Sequence, residues 1–257
     1  MQNRPARRIG AAAVALTIAL LNVSPAWANH TANCSEYKYV NHINGYISDA
    51  WSNNRYGVRT NFDNQGLALC TNPRAGEGTA SMAWVAIQGP QADPNYNIVQ
   101  MGHGACGPIA GNGCNNVMQD MYAYGRTGGS PGCEGWETKV PTPVSLGGHS
   151  PGGTYSVVEE ADHDYSLSSP NFGVWISTNS ICWTNQYVST FVETRDYGDA
   201  LGGSVANHFN FSARQFKTAA GGAWMTLPTK CNTRTAASDP PFKCLANNGV
   251  LETWTSR

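Results

Sequence analysis

Charge is scarce in this chain. Only 13% of the 257 residues are Asp, Glu, Lys or Arg, against about 25% in an ordinary soluble domain. Formal net charge is −1, and no basic run occurs beyond the N-terminus. A nucleic-acid partner requires a cationic face, so that class is excluded. Apolar runs are short: after residue 23 none approaches the ~20 residues of a membrane span. There is no C-x-x-C pair, and no His lies at zinc-ligand spacing from another His. Neither a metal nor a cofactor is therefore expected. The pattern G-x-S-x-G occurs at Gly128–Gly132 and Gly148–Gly152, but within Gly/Pro-rich loop sequence rather than at the strand-to-helix turn of a nucleophile elbow. H-E-x-x-H and the phosphate-binding loop are missing, so the common serine, zinc and nucleotide signatures are not met. Nor is there a sustained 3.6-residue period, so a helical architecture is disfavoured. Hydrophobic content is nevertheless 41%, enough to build a core rather than a disordered chain.

The N-terminus reads as a targeting segment. Arg4, Arg7 and Arg8 precede an apolar stretch from Ile9 to Val23, and Ala26-Trp27-Ala28 forms an A-x-A cleavage site. The stretch is too short for a membrane anchor and ends at Pro25. Residues 1–28 are thus expected to be a signal peptide, leaving a secreted chain of 229 residues with no membrane association. Losing three arginines and no acid takes the net charge from −1 to −4. A chain of this size buries roughly 70% of its unfolded surface, so one domain suffices. The expected division is 29–56 as an N-terminal extension, 57–229 as the main domain and 230–257 as a tethered tail, in a monomer.

All 8 cysteines lie in the mature part: Cys34, Cys70, Cys106, Cys114, Cys133, Cys182, Cys231 and Cys244. An even count in an exported chain argues disulfides, though eight cysteines allow 105 connectivities. Short separations single out Cys106–Cys114 and Cys231–Cys244 as hairpin staples.

Turn residues punctuate the chain, with short β-branched and aromatic runs between them. Strands are predicted at Ser81–Gln88, Asn97–His103, Met121–Tyr124, Thr154–Glu160, Phe172–Ser177, Tyr187–Thr194, His208–Phe216 and Trp224–Leu227. Many short strands with Gly/Pro turns describe an all-β, antiparallel β-sandwich of jelly-roll type, stapled by disulfides. Residues 29–55 are polar and read as a short helix or a cover over the sandwich. Residues 125–153, rich in Gly, Pro and Ser, read as a long loop, a common place for function.

Several groups are candidates for chemistry. Glu160, Asp162 and Asp164 alternate and would share one face of a strand, as the two carboxylates of a glycosidase must. The following segment, His163 to Asn171, is rich in turn formers and reads as a solvated hairpin tip. Seven tryptophans remain after cleavage. Trp84 and Trp175, inside apolar strands, are expected in the core, and Trp136, in the Gly-rich loop, is expected to be exposed. Gln100 and Glu193 are polar residues within otherwise apolar strands. Period-two alternation puts Gln100 on one face with Ile98 and Gly102, and Glu193 on one face with Ser189 and Phe191.

The order of these motifs resembles the glutamic peptidases (eqolisins). The carrying segments are A-W-V-A-I-Q-G (Ala83–Gly89), I-V-Q-M-G (Ile98–Gly102), M-Y-A-Y (Met121–Tyr124) and F-V-E-T (Phe191–Thr194). The resemblance implies a secreted, concanavalin-like sandwich in which Gln100 and Glu193 are the catalytic dyad and Trp84 stands beside them. The chain also resembles neprosin-type prolyl peptidases. There Val99-Gln100-Met101-Gly102-His103 occupies the place of one catalytic Glu segment, and Glu193 with Gly202-Gly203-Ser204 the other. It further resembles uncharacterised secreted bacterial proteins over about Gly57–Leu227. It departs from the eqolisin pattern at Gln88, Ala123 and Thr194, where the family carries acids that support the dyad.

The implied activity is an acid endopeptidase acting on a polypeptide substrate through a Gln/Glu pair that activates water. Trp84, Tyr122, Tyr124 and Trp136 are the candidate substrate-binding aromatics. The rival reading is a non-catalytic carbohydrate-binding or surface-adhesion sandwich, in which Trp136, Tyr122 or Tyr124 meets an extracellular glycan.

Overall fold

In the computed structural model, residues 45–52, 55–63, 67, 69–70, 80–89, 97–106, 119–126, 152–160, 164–176, 187–194, 203–233 and 242–256 are described. These residues are all-β and form two sheets of mostly antiparallel strands. The first sheet contains β1 (Gly45–Ser52), β3 (Ala80–Gln88), β4 (Asn97–Cys106), β5 (Gln119–Arg126), β9 (Tyr187–Thr194) and β13 (Asn232–Thr233), in the order β13-β1-β9-β3-β4-β5. The second contains β2 (Gly57–Phe62), β6 (Gly153–Glu159), β7 (Tyr165–Ser168), β8 (Gly173–Ile176), β10 (Gly203–Ser204), β11 (Asn207–Lys217), β14 (Phe242–Asn247) and β15 (Val250–Thr255). Its order is β14-β15-β10-β11-β2-β6-β7-β8, with β12 (Met225–Thr226) paired to β11.

The predicted strands are present, and β5 and β11 run a residue or more past their expected ends. Other elements differ from expectation. Gly45–Ser52, in the segment read as a helix or cover, pairs along its whole length with β9. Tyr165–Ser168, read as a hairpin tip, is a strand whose Tyr165 and Leu167 are buried while Ser168 is exposed. Alternation was there, but Ser and Pro around it masked the period. The C-terminal segment supplies β14 and β15, and Cys231 is bonded to Cys244 with Cα atoms 5.9 Å apart. Cys70 is also disulfide-bonded.

The main core lies between the sheets. Ala83, Val85 and Ile87 of β3, Val99 and Met101 of β4, and Val188 and Val192 of β9 meet Val58, Phe62, Tyr155, Val157, Phe209 and Phe211 from the other sheet. Phe62 stacks on Tyr155 with ring centres 4.1 Å apart, and Phe211 meets it edge-on at 5.2 Å. Each fully buried Phe contributes about 1.5–3 kcal/mol by leaving water. Strand β3 is buried at every residue, because its even-numbered side chains also pack. Ala80, Met82, Trp84 and Ala86 form a second cluster with Met121 and Phe191 on the outer face of the first sheet.

Two polar devices pin the sheets together. A bulge in β11 between Ser212 and Gln215, with Ala213 at φ 49°, turns Arg214 inward. It is 2% exposed and donates to the hydroxyls of Thr190 (3.3 Å) and Thr229 (2.9 Å). The second device joins His103 and Asp120, register partners on β4 and β5, to the other sheet. The Asp120 carboxylate lies 2.6 Å from His103 Nδ1 and accepts from Tyr155 Oη and Asn171 Nδ2, also at 2.6 Å. Burial opposes its ionisation, but the hydrogen bonds from His103, Tyr155, Ser169 and Asn171 outweigh it and hold the carboxyl below the usual Asp range.

Candidate active site on the outer face of the first sheet

Strand β3 lies between β4 and β9, so register fixes which residues share a row across the sheet. Gln100 stands opposite Ala86, which stands opposite Ser189. One row on, Gly102 is opposite Trp84 and Phe191; the next row is Gly104, Met82 and Glu193. All these positions have the parity of the outer cluster. Gln100, Trp84 and Glu193 therefore share one face.

Trp84 lies between the two polar residues. Its Nε1–H donates to Glu193 Oε1 at 2.9 Å, which orients the carboxylate. The indole occupies the space over Gly102 of β4, which has no side chain there. A Cβ at Gly102 would sit 2.5 Å from the indole ring, and one at Gly104 would sit 2.5 Å from Met82 Sδ. The two glycines thus shape the site by leaving room for its neighbours.

Gln100 and Glu193 are both partly exposed. They are two strands and four residues apart in register, about 16 Å between Cα atoms from standard strand spacings. No direct hydrogen bond joins them. Groups bound to both must span the row formed by Gly102, Trp84 and Phe191.

Beyond Gln100 on the same face is a pair that the sequence reading did not single out. Gln88 Nε2 donates to Ser189 Oγ at 2.8 Å; both residues are buried. The alternation of β3 and β9 signalled a shared face, but not that these two strands are neighbours. The His103–Asp120–Tyr155–Asn171 cluster was also missed. His103 has the parity of Val99 and Met101, which marks it as inward, yet its partners lie on strands distant in sequence.

The remaining candidate residues are placed as follows. Trp84 is buried at 3% exposure. Tyr122 is half-buried on the inner side, packed against the main core with its ring 6.3 Å from Phe172. It is therefore on the opposite face from Gln100. Tyr124 stands opposite Val99 in register, and its side chain lies outside the described residues, as does all of Trp136. Trp175, expected in the core, is 58% exposed. It sits on the outward face of edge strand β8, while its neighbours Val174 and Ile176 pack inward. Among the described residues no group of three or more His, Cys, Asp or Glu is arranged to hold a metal ion.

No family model matches the chain, and no curated protein matches it. Among solved structures the chain is similar to scytalido-glutamic peptidase, crystallised with a transition state analog inhibitor. The identity is 12%, the match covers 84% of this chain and 100% of that one, and the TM-score is 0.48.

Proposed function

We propose that the protein is a secreted, monomeric acid endopeptidase on a jelly-roll sandwich, with Glu193 and Gln100 as its reacting pair. The observation that carries this reading is the Trp84–Glu193 hydrogen bond, on the same face as Gln100. The Cys231–Cys244 disulfide fits an oxidising, extracellular compartment, in line with removal of residues 1–28. Among the described residues no helix is long and apolar enough to cross a membrane.

In this reading a peptide lies across the row of Gly102, Trp84 and Phe191. Glu193 removes a proton from water as the water oxygen bonds to the scissile carbonyl carbon. The charge that develops on the carbonyl oxygen is held by the Gln100 side-chain amide, a neutral donor. The protonated Glu193 then delivers its proton to the leaving amine as the C–N bond breaks. Trp84 keeps the carboxylate aimed throughout.

The test is cleavage of an unfolded protein mixture between about pH 3 and 8, the span over which a carboxylate base and its neighbours titrate. Wild type is compared with Glu193→Gln and Gln100→Ala. Glu193→Gln should abolish turnover, and Gln100→Ala should lower kcat by about 10²–10³, the usual cost of one oxyanion donor. Circular dichroism should be unchanged. A rate that rises toward pH 8, or full activity in either variant, overturns the reading.

A further inference from the structure

The outer face of the second sheet carries an independent feature. Five tryptophans are described, and four have their rings engaged. Trp84 is buried in the outer cluster of the first sheet. Lys230 sits 4.0 Å over Trp51, Arg59 and Lys217 sit 4.4 and 4.8 Å over Trp224, and His208 stacks on Trp254 at 4.0 Å. Trp175 is different. It is 58% exposed, it is on an edge strand, and among the described residues no ring or cation covers it. Its Nε1–H is already committed to Asp164 Oδ2 at 3.0 Å. That bond restrains the indole while more than half of the residue stays open to solvent.

Around it the surface is polar and hydrogen-bonded. Ser166, the register partner of Trp175, donates to Glu160 Oε1 at 2.6 Å. Ser156 and Ser168, register partners on β6 and β7, hold each other at 2.7 Å. The patch thus has an exposed aromatic ring, two carboxylates and a row of hydroxyls. Of the cations of this face, Arg59 and Lys217 are occupied over Trp224 nearer the centre of the sheet, and Lys243 is on β14 at the opposite edge.

The geometry points to a binding site for an uncharged polysaccharide chain, with Trp175 as its stacking platform. A sugar ring presents aliphatic C–H groups on its faces and hydroxyls around its rim. The C–H groups match the electron-rich indole face, and the hydroxyls match carboxylate and serine oxygens. A polyanion is disfavoured by Asp164 and Glu160. A protein partner would want a contiguous apolar centre, and among the described residues none is present: the other exposed large apolar residues, Val205, Met225 and Leu245, belong to strands or turns around β10–β12 and β14, away from the β8 edge. The two carboxylates that flank the β6–β7 turn, Glu160 and Asp164, serve here as sugar acceptors rather than as a hydrolytic pair.

Affinity electrophoresis tests this directly. The mature protein is run in native gels containing hydroxyethylcellulose, xylan, glycol chitin or soluble starch, with heparin as a polyanionic control. Retardation is expected in at least one neutral gel and not in heparin. Trp175→Ala should weaken it about tenfold or more, as truncation of an aromatic hot spot does, while Trp175→Phe should retain part of it. Leu245→Ser, at the far edge of the sheet, should change nothing. No retardation in any neutral gel, equal retardation of Trp175→Ala, or binding to heparin alone overturns the proposal. Peptidase assays on the same Trp175→Ala sample keep this outcome separate from the fate of the Gln100–Glu193 reading.

Discussion

Trp84 and Glu193, 109 positions apart in sequence, are joined by a 2.9 Å hydrogen bond from the indole to the carboxylate. The bond exists because β3 and β9 are neighbours and because Gly102 on β4 leaves space for the indole. It ties the packing of the outer cluster to the orientation of the proposed base.

Two substitutions separate these effects. Trp84→Phe keeps a ring but loses the donor. Stability should fall by about 1.5–3 kcal/mol, the worth of a hydrogen bond to a charged group, and kcat should fall more than KM rises. Gly102→Ala keeps the donor but drives a methyl group against the Ala83 backbone oxygen and into the indole. Overpacking against side chains costs about 1–3 kcal/mol; with the backbone also in the way the loss should be at or above the top of that range, and peptidase activity should drop with it. Urea melts and steady-state kinetics on both variants check the outcome.

Acid stability should depend on Asp120. Its folded-state pKa is depressed, so its contribution is complete above the ordinary Asp pKa of about 3.9. That contribution is lost as pH falls through the folded value, because the unfolded chain then binds the extra proton. Asp120→Asn should be less stable than wild type near neutrality by about 1–3 kcal/mol. Its urea midpoint should also vary less with pH below about 4.

Alkali should act through two tyrosines. Burial, then the charge of Asp120, pushes the Tyr155 phenol well above its ordinary range; burial, then the charge of Glu159, does the same for Tyr165. For a raised folded pKa the stabilisation is fully present below the unfolded pKa, about 10. It is lost as pH rises above that value toward the folded one. Ultraviolet titration should show these two phenols ionising only with unfolding, and Tyr155→Phe should remove one of them from that step.

The Cys231–Cys244 bond closes a short segment, with a sequence separation of 13, and holds the strand β14 beside the chain entering β13. Replacing both cysteines with serine should cost about 3 kcal/mol in the chain-entropy view of such a loop. Thermal melts with and without reductant test this, and the double variant should be insensitive to reductant at that site.

Alternation with period two made much of the fold legible. The apolar runs of β3, β4, β9 and β11 are read directly as strands, and parity groups Gln100 with Gly102, and Glu193 with Phe191. A short cysteine separation marked the Cys231–Cys244 staple. Where polar residues and Ser/Pro turns diluted the pattern, as at Gly45–Ser52 and Tyr165–Ser168, strands went unread.

Parity says which residues share a face of one strand. It does not say which strands are neighbours, or what covers each face, because those depend on pairings between segments a hundred residues apart. Only the tertiary structure put β3 between β4 and β9, brought the faces of Gln100 and Glu193 together, and offset them by two rows across Trp84. The same reason separates Trp84 from Trp175. Both sit in apolar strands, but one is in the centre of a sheet under a second cluster, and the other is on an edge strand facing water.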